Sequence, residues 1–292
     1  MPILADSQDE QSEPPAPNAV QVEALTALNA TRAQGFSRGL VVLATGMGKT
    51  WLAAFDALQT QSTKSCSLRI GKKFFCKRKI FLSAFSQCKT GLYNGVTQNT
   101  QAKLLFASVA TIGKQNHLQR FAADHFDYIV VDEFHNAAAR SYRNLLTNFK
   151  PKFLLGKTAT PERSDQADIL SLCDSNLVFE RNLVHGIDEK ILVPYDYHGI
   201  YDQAVNYQEI PWRNGKFDPD SLDNALATQR RAVHVYQHWH QKNKPAHWLF
   251  FFLKHADFMA EFSRSKGIKA ISVYSDSKVR RNQALQWLDS GK

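Results

Sequence analysis

The chain has 292 residues, of which 43% are hydrophobic, and it carries a formal net charge of +9. This length suits one or two globular domains, and the absence of an apolar run of about 18 residues argues against a membrane-spanning helix. The basic charge is concentrated, because the interval between Asp56 and Asp124 holds 11 of the 36 Lys and Arg residues and no Asp or Glu.

The first 17 residues are acidic and rich in proline, unlike the basic and then apolar layout of a secretory signal. We therefore expect a flexible tail over residues 1–17. We also expect a cytoplasmic protein that does not contact a membrane.

A strand, a glycine-rich loop and a helix are predicted around residue 45. Residues 18–35 place apolar side chains at helical spacing and end in glycine, which predicts a first helix. The run GLVVLAT (39–45) is typical of a strand buried in a parallel sheet, and residues 51–59 begin the next helix. This order is the context that a phosphate-binding loop requires.

The loop LATGMGKT has the residue types that hold a triphosphate. Its glycines let backbone N–H groups approach phosphates, the helix that follows adds a favourable dipole, and Lys49 would neutralise the β and γ oxygens. Thr50 would bind Mg²⁺ through its hydroxyl. Leu43 stands where the general pattern has glycine, so a chance match stays open. The predicted nucleotide-binding residues are Thr45, Gly46, Met47, Gly48, Lys49 and Thr50.

Three further apolar runs predict strands over residues 103–111, 127–133 and 152–160, with a helix over 135–149. Strands that alternate with helices indicate an α/β fold with a doubly wound parallel sheet. Ligands of such sheets lie at the carboxyl ends of the strands.

The pair Asp132 and Glu133 ends one of these strands. Asp132 would hold Mg²⁺, and Glu133 would orient and deprotonate the attacking water. Such a pair can also be a solvated turn, but the lysine loop upstream favours catalysis. The predicted catalytic residues are therefore Lys49, Asp132 and Glu133.

Three motifs together resemble the superfamily 2 DExH-type helicases and translocases, particularly the type III restriction enzyme helicase subunit. They are ATGMGKT (44–50), DEFH (132–135) and TATPER (158–163). The resemblance implies a RecA-like P-loop domain with ATP and Mg²⁺ as ligands and DNA as the track.

The resemblance also implies roles for four more residues. Gln21 would contact adenine, and His135, Thr158 and Thr160 would couple the nucleotide state to the grip on DNA. The alternatives are a helix-surface glutamine at position 21 and ordinary hydroxyls at a strand end.

Residues 61–95 depart from the family pattern, with many basic residues, interleaved phenylalanines and no recognisable DNA-backbone motif. They form either a surface for phosphates and bases or a translated frameshift. We favour the frameshift, because the local pattern disagrees with the flanking α/β order. Lys157 is a smaller departure, since it places a charge where an apolar residue would extend the strand.

From residue 183 the sequence predicts a junction, with a long helix opening near Asp220 or Ser221. A strand, a helix and a strand over residues 246–276 would then begin an incomplete second RecA-like domain. We expect an ATP-binding domain over residues 18–182 and a partial second domain over 183–292. In the family the second domain supplies arginines that stabilise the transferring phosphoryl group, and the chain stops before those motifs.

The sequence as a whole predicts a truncated helicase-type ATPase that hydrolyses ATP slowly and does not unwind DNA alone. A separate chain is one expected source of the missing motifs. Two alternatives stay open, a catalytically inactive nucleic-acid-binding remnant and a P-loop ATPase unrelated to DNA. The TATPER motif argues against the second.

Overall fold

The computed structural model describes residues 15–60, 65–69, 89–160, 166–241, 248–250, 252–274, 283–284, 286–287 and 290, with the backbone alone for 65–69 and 166–168. The predicted tail therefore lies almost wholly outside the described residues. The chain divides into two compact units between Tyr195 and Asp196. Among the helices in these ranges, none has both the length and the hydropathy that a bilayer crossing requires.

The first unit contains a seven-stranded sheet in which every pairing is parallel. Its strands are β1 (Arg38–Leu43), β2 (Ser65–Arg69), β3 (Thr90–Tyr93), β4 (Leu104–Ser108), β5 (Tyr128–Asp132), β6 (Phe153–Thr158) and β7 (Leu177–Arg181). The order across the sheet is β3-β4-β2-β5-β6-β1-β7. This arrangement confirms the predicted α/β fold with a parallel sheet.

Helices cover both faces of the sheet. They are α1 (Ala19–Ala33), α2 (Lys49–Gln59), α3 (Val109–Ile112), α4 (Gln115–Leu118), α5 (Arg140–Asn148), α6 (Gln166–Ser171) and α7 (Leu183–Asp188). Alternate residues of each central strand point to opposite faces. Val42 and Leu154 thus share a core with α5, while Val41 and Leu155 share one with α1 and α2.

The start of the anomalous segment continues the sheet. Ser65–Arg69 forms β2, which pairs with β4 on one side and β5 on the other. The expectation that this segment breaks the α/β order is therefore wrong for these five residues, because their backbone completes the centre of the sheet. Residues 70–88, which hold the phenylalanines next to the lysines, lie outside the described residues.

A buried ion pair joins α1 to α2 beneath the sheet. Asp56 has no exposed surface, and its two carboxylate oxygens accept hydrogen bonds from Arg32 at 2.8 and 3.0 Å. The Tyr128 hydroxyl donates to the same carboxylate. Burial, and then the Asp56 charge, raises the pKa of Tyr128 well above its usual value, so this tyrosine remains a hydrogen-bond donor.

The second unit contains a two-stranded antiparallel hairpin, β8 (Trp212–Arg213) and β9 (Lys216–Phe217). The helices α8 (Pro219–Leu226), α9 (Gln229–His240) and α10 (Leu253–Ser265) follow in its described part. The expected long helix is in fact α8 and α9. The break falls at Thr228, whose backbone is extended and whose side-chain hydroxyl caps α9 by accepting from the Arg231 N–H.

The helix predicted after residue 246 is present as α10, but the two strands expected beside it are not formed within residues 248–250 and 268–274. Trp248 and Phe250 instead pack against Met259 and Phe262. A strand exists only through pairing, and these described segments have no strand partner.

Candidate functional site

The topology brings the predicted motifs to one edge of the sheet. β6 lies between β1 and β5 and pairs with both. Because all three strands are parallel, their carboxyl ends lie together. The glycine loop after β1 therefore lies on the same edge as Asp132 and Thr158.

The glycine loop has backbone geometry that only glycine adopts readily. Gly46 and Gly48 have φ values of 97° and 81°, in the left-handed region. A Cβ on Gly48 would lie 2.4 Å from Nε2 of Gln21, and one on Gly46 would lie 2.7 Å from a methyl of Leu192. Both glycines are therefore favoured by conformation, and a side chain at either position would displace the end of the neighbouring Gln21 or Leu192 side chain.

Part of the glycine loop is exposed to solvent, and part of it is buried. Thr45 and Gly46 are exposed, while Met47 is fully buried. Lys49, in the first turn of α2, donates from Nζ to the carbonyls of Leu43 and Ala44 at 2.7 and 3.2 Å. The lysine thus lies over the loop whose amides would face a phosphate.

Asp132 and Glu133 lie where β5 ends. Asp132 is buried and accepts the Glu133 backbone N–H through Oδ1 at 3.1 Å. Glu133 has φ 54°, a left-handed conformation that costs a residue with a side chain about 1–2 kcal/mol. Strain of this kind is concentrated at functional sites, and the Glu133 carboxylate is about one-third exposed.

Lys157 lies inside the same site. It is the register partner of Asp132, and its Nζ is 3.5 Å from Oδ1 of Asp132 and 3.4 Å from the Lys49 carbonyl. Both side chains are almost fully buried, with 3% and 4% of their surface exposed. The sequence marked Lys157 as an unexpected charge but did not place it beside the carboxylate.

The donor types at this site match Mg²⁺, since Asp132 offers a carboxylate and Thr50 a hydroxyl. Thr50 is buried at the start of α2. The ammonium of Lys157 against Asp132 nevertheless occupies the side of the carboxylate that faces the loop helix. The residues as arranged therefore do not fit a divalent cation on Asp132.

The three predicted coupling residues contact one another. His135 Nδ1 lies 3.2 Å from the Thr158 hydroxyl, and that hydroxyl lies 3.3 Å from the Thr160 carbonyl and 3.4 Å from its N–H. Asn136 Nδ2 lies 3.0 Å from His135 Nε2. His135 Nδ1 is also 3.6 Å from a carboxylate oxygen of Glu133, so the chain of contacts reaches the predicted base.

Gln21 is buried against the glycine loop. Its Nε2 donates to the Gly48 carbonyl at 3.1 Å, and its Oε1 accepts from Asn18 N–H at 2.9 Å. Asn18 in turn accepts from Gln21 N–H, which forms a capping box at the start of α1. Gln21 is thus not a surface glutamine, and its contact with adenine stays a prediction.

Three contacts of this site were missed from the sequence. The N-x-x-Q spacing of residues 18–21 could have revealed the role of Asn18 as a cap. The sequence did not indicate Asn136, because its role depends on contact with the side chain of His135. It did not indicate Leu192, because its contact with Gly46 depends on the path of the chain after α7.

Two curated relatives resemble most of this chain. IRC3 of Saccharomyces cerevisiae, which carries the provisional name of an ATP-dependent helicase, is 24% identical over 233 residues, covering 74% of this chain and 32% of IRC3. The type I restriction enzyme EcoAI endonuclease subunit of Escherichia coli is 25% identical over 209 residues, covering 67% of this chain and 25% of that subunit. The chain therefore spans a third or less of each relative.

A fragment of a provisionally assigned HsdR subunit of a type I restriction enzyme from Vibrio vulnificus YJ016 has a similar structure, with a TM-score of 0.62 at 23% identity. The match covers 86% of this chain and 47% of the fragment, and it supports the fold alone. The family model described as type III restriction enzyme, res subunit, matches residues 15–163, from the start of the described chain through the TATPER motif. The chain therefore belongs to the family of the type III restriction enzyme res subunit.

Proposed function

We propose that this chain is a helicase-type ATPase unit that acts on DNA, binds ATP at the glycine loop, hydrolyses it slowly and does not unwind DNA alone. The observation that carries this proposal is the meeting of the Lys49 loop with Asp132 and Glu133 on one edge of the sheet. Family membership favours nucleotide use.

Residues of the loop and α2 would bind the phosphates. The first amides of a helix lack intrahelical partners, and the helix dipole favours negative charge at that end. Lys49 would exchange its two loop carbonyls for phosphate oxygens. Gln21, which already touches the loop at Gly48, would contact adenine.

Glu133 is the proposed general base. Its side chain is about one-third exposed, so it can meet a water molecule, and a carboxylate at hydrogen-bond distance can accept the proton that the water loses. The contact of His135 with Thr158 would transmit changes at this end of β5 to β6.

DNA is the proposed track. The relatives named above are a helicase and a restriction endonuclease subunit, and Lys and Arg are concentrated between residues 57 and 123. Such a charge distribution favours phosphate backbones.

Slow hydrolysis is proposed on two grounds. Lys157 lies against the carboxylate that would organise the reaction. In the described part of the second unit the only paired strands are β8 and β9, so those residues form no parallel sheet that could present arginines to the phosphates. A separate chain that supplies such arginines would raise the rate.

The test is ATP binding and steady-state hydrolysis by the purified chain, with and without single- and double-stranded DNA. Wild-type protein should bind ATP and turn it over slowly, and Lys49→Ala should lose both. Lys152→Ala is the matched control, because this lysine is 83% exposed, precedes β6 at the opposite edge of the sheet and lies outside the basic interval.

Fast turnover that rises with DNA would contradict slow hydrolysis, and unwinding by the chain alone would contradict the rest of the proposal. DNA affinity that falls steeply with salt and persists in Lys49→Ala, without any ATPase, would instead select the inactive nucleic-acid-binding remnant. Turnover that is indifferent to DNA would select an ATPase unrelated to DNA.

A further inference from the structure

We propose that Lys157 is an internal counter-ion that occupies the place of a divalent cation at Asp132, so that this chain binds nucleotide with little dependence on Mg²⁺. The inference rests on the proposed nucleotide binding. It assigns to one side chain a property of the site that the motifs alone do not reveal.

The backbone fixes the position of Lys157. Residues two apart in a strand point to the same face of the sheet. Val130 and Leu155 pack in the core beside α1 and α2. Asp132 and Lys157, each two residues further along the same strands, therefore lie on that face as well. The opposite face is closed, since Gly156 lies against the ring of Phe134. Lys157 therefore points toward the start of α2.

The Lys157 ammonium and the Asp132 carboxylate each compensate the buried charge of the other. Lys157 is 2% exposed and Asp132 is 3% exposed, and buried charges are tolerated only when they are paired and hydrogen-bonded. The 3.5 Å contact with Asp132 and the donation to the Lys49 carbonyl meet that need on this face.

A divalent cation on Asp132 would lie within a few ångströms of this ammonium. Repulsion between a double and a single positive charge is twice that between two single charges at the same distance. Because both would compete for one buried carboxylate, the lysine excludes the metal from that oxygen. Nucleotide would then be held by the loop amides and Lys49.

The first experiment measures the Kd of a fluorescent ATP analogue in Mg²⁺ and in EDTA. Wild-type protein should show Kd values within about threefold of each other, whereas Lys157→Met should bind at least roughly tenfold more tightly in Mg²⁺ than in EDTA. Lys152→Met is the control, because Lys152 immediately precedes β6 and is 83% exposed. Equal Mg²⁺ dependence in wild type and Lys157→Met would overturn the proposal.

The second experiment needs no nucleotide. The urea midpoints of wild type, Lys157→Met, Asp132→Asn and the double variant are compared in EDTA. Each single change should lower the midpoint by leaving a buried charge unpaired, and the double variant should recover most of the loss. Additive losses would overturn the pairing. If the losses are not additive but no variant binds nucleotide, the Lys157–Asp132 pairing is supported and only the proposed function is rejected.

Discussion

Two buried carboxylates of the first unit are neutralised by cations of the same chain. Asp56 is paired with Arg32 away from the candidate site, and Asp132 is paired with Lys157 inside it. The first pair has two direct hydrogen bonds from a guanidinium, while the second has one longer contact. The Arg32 pair joins two helices of the fold, whereas the Lys157 pair places a cation against the carboxylate of the candidate site.

Asp56→Ala is expected to destabilise the first unit by about 3 kcal/mol, because it removes a fully buried carboxylate that pairs with the partly buried Arg32 and accepts from Tyr128. Tyr128→Phe, which removes only one hydrogen bond to Asp56, is expected to cost about 1 kcal/mol. Urea unfolding measures both changes.

The control for that comparison is Lys152→Ala, which breaks the exposed ion pair with Asp127 and should change the free energy of unfolding by no more than about 0.5 kcal/mol. An Asp56→Ala loss as small as the control would show that the buried network does not stabilise the fold.

Gly48→Ala is expected to weaken ATP binding and to destabilise the protein by about 1–2 kcal/mol, because the left-handed backbone and the nearby Gln21 amide both oppose a Cβ. Isothermal titration with ATP and thermal melting give the two readouts. Gly95→Ala is the comparison, since a Cβ at Gly95 would meet nothing within 4 Å. Equal behaviour of the two variants would contradict the geometry assigned to the loop.

At the level of elements, β2 is the strand on which the centre of the sheet depends. Its residues pair on both sides, with Ser67 opposite Phe106 of β4 and Val130 of β5. Within the anomalous segment 61–95, residues 65–69 therefore form part of the sheet.

Ser67→Pro is expected to destabilise the first unit by about 3 kcal/mol or more, since proline removes a donor from a central strand. Ser67→Ala keeps the backbone N–H and should be close to wild type. Unfolding by urea, followed by circular dichroism, compares them. A Ser67→Pro protein as stable as Ser67→Ala would mean that β2 is not a central strand.

The elements that the sequence predicted well are those with continuous apolar character. β1, β5 and β6 are wholly or almost wholly buried, so their patterns are unambiguous. β2 was missed because SCSLR is short, half polar and set among lysines. β7 was missed because this edge strand is only partly buried.

The sequence predicted the motif residues of the candidate site but not the ion pair between Lys157 and Asp132. Lys49, Asp132 and Glu133 followed from motif order, and the parallel sheet explains why they meet. The proximity of Lys157 to Asp132 follows from the register of β5 with β6. Register is set by long-range packing of whole strands, which a single sequence does not display.

The second unit contains a cluster of hydrogen-bonded polar side chains centred on Arg231. Arg231 donates to Asp202 at 2.7 Å and to Nε2 of the buried His255 at 2.8 Å. Burial, then the Arg231 charge, lowers the pKa of His255 from 6.5 to about 4, while Asp223 acts in the opposite direction. The folded protein therefore holds this histidine neutral.

Acidification should destabilise the second unit. The unfolded chain binds a proton on His255 near pH 6.5 and the folded chain only near pH 4, so the stability contributed by neutral His255 is present above pH 6.5 and is lost as the pH falls toward 4. Thermal melting between pH 7 and 4.5 should show a smaller decline for His255→Gln than for wild type. Parallel declines would contradict the burial of a neutral histidine.

The strand order also sets when the site can form during translation. β1 carries the glycine loop, yet its partners β6 and β7 span residues 153–181. A nascent chain that has emerged only as far as Asp132 contains the glycine loop and the sequences of β1 and β5, but neither neighbour of β1. Since long-range parallel pairing forms late, we expect the glycine loop to be held in place only after the chain has emerged through Arg181.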